Sequence, residues 1–220
     1  MKATLAFLKD LAANNQRDWF QANKKAYDQS RSEIVQLCSD VIQELANFDH
    51  SVIDIVPTKA VFRIYRDTRF SANKTPYKNN QGFWLTPGNV KDSIAGYYVH
   101  IQPGESFVAA GIYMPLSPEL NAIRQELNFN HSDLRKILDK KVFRETWGDL
   151  MDDKLKSMPR GFEKDHPAAD LLKYKSFVVS QKLSDKEIVS AEIAKKIAET
   201  LSIGIPLVKF INEAISLSRD

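Results

Sequence analysis

Cysteine is almost missing from this 220-residue sequence. Cys38 carries the one thiol, which excludes an intramolecular disulfide framework and a multi-cysteine zinc site. No apolar run approaches the roughly eighteen residues that suggest a membrane-crossing helix. The opening Met1-Lys2-Ala3-Thr4-Leu5-Ala6-Phe7-Leu8-Lys9-Asp10 meets charge too early for a signal-peptide core, so a cytoplasmic setting is expected. Also missing are the Gly-x-x-x-x-Gly-Lys-Ser/Thr and Gly-x-Gly-x-x-Gly nucleotide cradles and the Gly-x-Ser-x-Gly nucleophile elbow. There is no His-x-x-x-His pair and no acidic ladder of calcium type, so neither a metal nor a cofactor is expected. Neither sign of charge dominates, with 31 Lys+Arg against 28 Asp+Glu and a net charge of +3. The 43% hydrophobic and 27% charged content is that of an ordinary globular chain, and one domain over residues 1–220 is expected.

Glycine and proline are scarce but concentrated. Gly82, Gly88, Gly96, Gly104 and Gly111 fall in one central stretch, and most prolines lie between Pro57 and Pro118. Dense punctuation implies short strands; its scarcity elsewhere implies helices. In the first third, Leu8 and Leu11 with Leu5 and Phe7 form a helical stripe, stopped at Asn14-Asn15. A second helix, or a pair, opens near Gln16, carries Trp19, Phe20 and Tyr27, and runs through Ile34, Leu37, Val41 and Leu45. Cys38 neighbours that stripe and reads as a small buried hydrophobe. Strands are expected at Val61–Arg66, at Gly82–Thr86 (ended by Pro87-Gly88), at Gly96–Gln102 and at Ser106–Tyr113, the last two joined by the Pro103-Gly104 turn. In the third of these, Tyr97, Val99 and Ile101 share one face, and Tyr98, His100 and Gln102 the other. Helices return from Ser117-Pro118-Glu119, from His131-Ser132-Asp133, after Asp165-His166-Pro167, from the capping box at Ser184 to Glu187, and from Pro206. The fold class is α+β, with a central antiparallel sheet at about residues 52–114 between helical segments.

The modest net charge conceals an uneven distribution. Lys59, Arg63, Arg66, Arg69, Lys74 and Lys78 face Asp67 alone between Pro57 and Lys78, so this stretch is +5 and the rest of the chain −2. These cations interleave with Phe62, Ile64, Tyr65, Phe70 and Tyr77, which a solvated charge run does not need. As a strand, the segment would put Arg63 and Tyr65 on one face and Phe62, Ile64 and Arg66 on the other. Asp67, between Arg66 and Arg69, is placed to hold one guanidinium in a fixed orientation. The loop from Phe70 to Lys78 adds hydroxyls, backbone N–H groups and two ammoniums, a set suited to phosphate or carboxylate.

The run Phe62-Arg63-Ile64-Tyr65-Arg66-Asp67-Thr68-Arg69-Phe70-Ser71, followed by Lys74-Thr75-Pro76-Tyr77-Lys78, resembles the signature of the domain of unknown function 2461 family. Gly96-Tyr97-Tyr98-Val99-His100-Ile101-Gln102-Pro103-Gly104 is similar to its second motif. Asn14-Asn15 with Trp19-Phe20, and Pro159-Arg160-Gly161-Phe162 with His166-Pro167, resemble its other landmarks. The resemblance implies a single-domain, largely bacterial, cytoplasmic protein, and carries over no activity and no catalytic residue.

Function therefore rests on the residues themselves, and whether the protein is an enzyme stays open. In the first reading Arg63, Arg66, Arg69, Lys74 and Lys78, with Asp67 orienting an arginine, bind a phosphorylated or carboxylated small molecule. His100 and Tyr98 are then the acid–base candidates. In the second, cations interleaved with aromatics hold single-stranded nucleic acid. In the third, the cations form a structural ion-pair network and function lies on an interaction surface. The third does not suffice by itself, because Asp67 can neutralise one arginine and burying the others unpaired would be costly; either distant acids return to them or the cluster faces water and a ligand. No membrane partner is expected, and the oligomeric state is open.

Overall fold

The computed structural model describes residues 1–86 and 94–219. In chain order the elements are α1 (Lys2–Ala13), α2 (Arg17–Ala22), α3 (Lys24–Ala46), a 3-10 turn (His50–Val52), α4 (Pro57–Ala60), β1 (Gln81–Leu85), β2 (Gly96–Ile101), β3 (Phe107–Ile112), α5 (Ser117–Leu138), α6 (Lys141–Trp147), α7 (Ala169–Leu172), β4 (Phe177–Lys182), α8 (Asp185–Ile188), α9 (Ile193–Ile203) and α10 (Ile205–Leu217). The strands form an antiparallel sheet in the order β1-β2-β3-β4, so the fold is α+β with helices flanking a sheet.

The chain divides into two compact units. One comprises Met1–Leu85, Tyr98–Val108 and Lys182–Glu199; the other comprises Thr86–Tyr97, Ala109–Gln181 and Thr200–Asp220. In the first, α1 packs on α3 through Phe7, Leu8 and Leu11 against the α3 stripe of Ile34, Leu37, Cys38, Val41 and Leu45, all buried. Thr4 fixes the pairing: its N–H and hydroxyl both donate to Glu33 Oε2, at 3.0 and 2.7 Å. Burial pushes the Cys38 thiol up to about 12, as a small core side chain requires. In the second unit, α10 buries Leu207, Phe210, Ile211 and Ile215, and α5, its main partner, buries Ile123 and Leu127. The α5 backbone leaves helical geometry at Asn130, just before the start expected at His131, so two helical runs join across a kink. Gly111, at φ +122°, lies so close to the Phe177 backbone that a Cβ would collide with the carbonyl. Among the described residues no single helix is long and apolar enough to cross a membrane; α9 and α10 pass that test only as a pair bent by 53°.

Three expectations are corrected. The sheet has a strand outside residues 52–114: Phe177–Lys182 lies in the region read as helical. Val61–Arg66 is not a strand of the sheet but an extended segment with bridges at Val61–Phe83 and Tyr65–Tyr77. Its register explains why. Lys78 N–H donates to Ile64 O, whereas Phe62 N–H donates to Gly82 O, so Asn79 and Asn80 are extra residues on the returning side and break the ladder. Pro76, opposite, has no N–H to extend it. Phe62 is consequently 39% exposed while Ile64 is buried, so they do not share a face as strand alternation required. The helix opened by Ser184 ends at Ile188, and a second begins at Ile193 rather than one running to Leu201. The capping box itself is present, with Ser184 Oγ accepting from Glu187 N–H at 3.3 Å and Glu187 Oε2 from Ser184 N–H at 2.7 Å. The turn expected at Pro87-Gly88 lies outside the described residues.

Candidate functional site

The cation-rich segment folds as an irregular hairpin. Arg66 N–H donates to Pro76 O at 3.0 Å and Lys78 N–H to Ile64 O at 2.8 Å, closing a loop over residues 67–75. Within it, Asn73 Oδ1 accepts from both the N–H and the hydroxyl of Thr75, each at 2.9 Å. Lys74 Nζ reaches back to Thr68 O at 2.9 Å. The hairpin is tied to the helices by Asn15, whose side-chain amide pairs with the Tyr77 backbone as a strand would. Nδ2 donates to Tyr77 O at 3.0 Å, and Oδ1 accepts from Tyr77 N–H at 3.1 Å. The Tyr77 ring, 3% exposed, stacks on Phe20 at 4.0 Å and 13°. The hairpin is thereby anchored to the α1–α2 corner by hydrogen bonds and an aromatic stack.

Anchoring gives Arg66 an unusual environment. Its guanidinium donates to the Thr75 hydroxyl, and more distantly to Ser71 Oγ at 3.4 Å and Thr75 O at 3.5 Å. All three acceptors are neutral, and among the described residues no carboxylate lies within salt-bridge distance of Arg66, Arg63, Lys74 or Lys78. Two clefts adjoin it. The first, of about 560 Å³, is lined by Arg17, Arg66 and Lys74 together with Gln16, Gln21 and Tyr65. The second, of about 420 Å³, is lined by Arg66, Lys78, Asn79 and Asn80 among others. Asn15, Arg66 and Tyr77 border both, and among the described residues no Asp or Glu borders either.

The expected residues therefore divide. Arg66, Lys74 and Lys78 line a cleft; Arg63, Asp67 and Arg69 line neither. Asp67 does orient an arginine, and it is Arg69: Nε and Nη2 donate to the two carboxylate oxygens at 3.0 and 2.7 Å. That hydrogen bonding lowers the Asp67 pKa and raises that of Arg69. Lys78 Nζ lies 5.5 Å from the Phe62 ring centre. Its pKa is lowered, first by burial and then by the charge of Arg63, as expected where positive charge is crowded and uncompensated.

His100 and Tyr98 also border neither cleft. They sit on the polar face of β2, as alternation predicts. Tyr98 OH lies 2.9 Å from His100 Nδ1, and His100 Nε2 lies 3.0 Å from Gln102 Oε1. An Nε2–H tautomer, assigned from this pattern, lets the phenol donate to the ring and the ring to Gln102, which in turn donates to Glu105 Oε2. Burial lowers the His100 pKa and raises that of Tyr98. His100 stacks on Phe107 at 4.6 Å, and Tyr98 lies 6.1 Å from Phe62 and 6.5 Å from Trp84, making a row of half-exposed rings. Gly82 is required beside this row because a Cβ there would collide with the Val99 carbonyl at 2.5 Å and crowd Tyr98 OH at 3.1 Å. His166 caps its helix entry, its Nδ1 accepting from Ala168 N–H at 3.0 Å. Among the described residues no three His, Cys, Asp or Glu side chains come together as a metal site.

Sequence reasoning missed Arg17, Gln16 and Gln21 as cleft residues and Asn15 as the anchor. The signal available was the amino-terminal landmark itself: Arg17 lies between Asn14-Asn15 and Trp19-Phe20, a stretch whose residue types suggested only a helix boundary. A family model described as conserved hypothetical protein (DUF2461) matches residues 3–210. No curated protein and no solved structure matches the chain.

Proposed function

The chain belongs to the DUF2461 family, whose description assigns no activity, and from the cleft geometry we propose that it binds a phosphorylated or carboxylated small molecule at Arg66. One observation carries the reading: two clefts meet at an arginine whose guanidinium is held by neutral oxygens, cations border both, and among the described residues no carboxylate borders either. Arg66 supplies the fork that recognises planar or tetrahedral oxyanions, and Lys74, Lys78 and Arg17 supply point charge around it. Arg63, and Arg69 with its Asp67 partner, contribute to the surrounding field rather than to contact. His100 and Tyr98 border neither cleft, so no catalytic step is assigned to them.

A second reading, single-stranded nucleic-acid binding, is favoured by the half-exposed rings of Phe62, Trp84, Tyr98 and Phe107 with Lys78 at their edge. Of a structural ion-pair network, the Asp67–Arg69 pair is the part found in this segment among the described residues.

Thermal melting with and without phosphate, sulfate, simple carboxylates and sugar phosphates tests the first reading. The expected result is a saturable rise with at least one of these anions that Arg66→Ala abolishes. No rise with any of them overturns it. Retention of oligonucleotides that falls steeply with salt would favour the second reading instead.

A further inference from the structure

Arg66 does not sit at the blind end of a single pocket. It borders two clefts, sharing that position with Asn15 and Tyr77. Beyond it the first cleft continues to Gln16, Gln21 and the half-exposed ring of Tyr65; the second continues to Asn79 and Asn80. Asn15 already spends its amide on the Tyr77 backbone. Gln16, Gln21, Asn79 and Asn80 make no side-chain hydrogen bond among the described residues, so each offers both a donor and an acceptor to a ligand. Each cleft's volume falls within the roughly 300–1,000 Å³ typical of ligand pockets.

We infer that the anion held by Arg66 is the middle of its ligand: a small molecule whose phosphoryl group is esterified on both sides, with a hydrogen-bonding group in each cleft. The inference rests on the anion-binding reading and adds the ligand's architecture. A terminal phosphate or carboxylate has a substituent in one direction and would fill one cleft, leaving the other's amides and lysine unused. A diester has substituents in two directions. Its phosphoryl oxygens meet the guanidinium, with Lys74 bordering one branch and Lys78 the other. An aromatic wall at Tyr65, together with side chains that donate and accept, suits a planar heterocycle in the first cleft. Two clefts share Arg66, so the ligand is given two arms; whether it continues as a polymer is an outcome of the test.

The experiment is a calorimetric titration of the full chain with inorganic phosphate, the four mononucleotides, the four matching dinucleoside monophosphates and a ten-residue single-stranded oligonucleotide. A mononucleotide carries more charge than the diester, so simple electrostatics would favour it, and the opposite preference is diagnostic. The expected result is at least one dinucleoside monophosphate binding about tenfold or more tighter than its mononucleotide. Gln21→Ala and Asn79→Ala should each cut that preference by about threefold or more while leaving the melting temperature unchanged, because both side chains are exposed. Equal affinity for mono- and dinucleotides, with both lost in Arg66→Ala, would leave anion binding standing and overturn the two-armed ligand. An oligonucleotide binding more than about tenfold tighter than any dinucleotide would overturn it in favour of a polymer. Absence of binding by every probe would overturn the two-armed ligand, while the melting series with carboxylates and sugar phosphates decides separately whether the anion reading beneath it stands.

Discussion

Arg66 and Arg124 both lack a carboxylate partner among the described residues, and they have opposite fates. Arg124, on α5, is 7% exposed; its Nε donates to Leu172 O at 3.0 Å and its Nη2 to Tyr174 O at 3.1 Å. It fastens α5 to the segment around α7, and burial lowers its pKa. Arg66 is half-buried, leans on the hydroxyls of Thr75 and Ser71, and borders two clefts. An unpaired guanidinium is thus not in itself the mark of a binding site. The difference is whether its donors are already committed to backbone carbonyls in a closed interior, or directed at space that an oxyanion can enter.

Substitutions should separate the two roles. Arg124→Ala strands two buried carbonyls and opens a cavity, so it should destabilise the protein by about 2–4 kcal/mol while leaving anion affinity intact. Denaturant unfolding and phosphate titration on the same variant check both halves. Arg66→Ala should do the reverse. Losing charge-assisted hydrogen bonds worth about 1.5–3 kcal/mol lowers anion affinity about tenfold to a hundredfold, with the melting temperature little changed. A smaller effect concerns pH. Lys78 binds an anion in its protonated form, and its pKa is already lowered by burial and Arg63. Affinity should therefore be full at neutral pH and fall a few-fold as pH rises, beginning below the ordinary lysine value of 10.5. Lys78→Arg should flatten that profile, and calorimetry between neutral and alkaline pH would show it. Smallest of all is Asp67→Asn. The Asp67–Arg69 pair is solvent-exposed and borders neither cleft, so melting and anion affinity should both stay close to wild type.

How much of this was legible in the sequence depends on the range of the interaction. Local features were readable. The β2 alternation put Tyr97, Val99 and Ile101 in the core and His100 on the other face; the Ser184–Glu187 box formed; the concentration of Gly and Pro marked the centre as the sheet region. The Phe177–Lys182 strand was missed although Phe177-Val178-Val179 is strand-favouring, because the run is short and its pairing partner, β3, lies more than sixty residues earlier. The hairpin's two-residue register change was also invisible, since strand propensity in Val61–Arg66 says nothing of how many residues return on the other side. The charge excess identified the right segment, but not which cations face a cleft. That depends on Asn15, which meets Tyr77 across 62 positions and brings Arg17 and Gln21 to the site. Side chains supplied from so far away leave no mark on the spacing of the motif they complete.

The most direct test follows the two guanidiniums together. In a chain labelled with ¹⁵N at arginine, the Nε–H signals of Arg66 and Arg124 can be assigned through Arg66→Lys and Arg124→Lys and followed during titration with inorganic phosphate. The account predicts a saturable shift of the Arg66 signal while that of Arg124 stays in place. An Arg66 signal that does not move at phosphate concentrations shifting other surface arginines would contradict it.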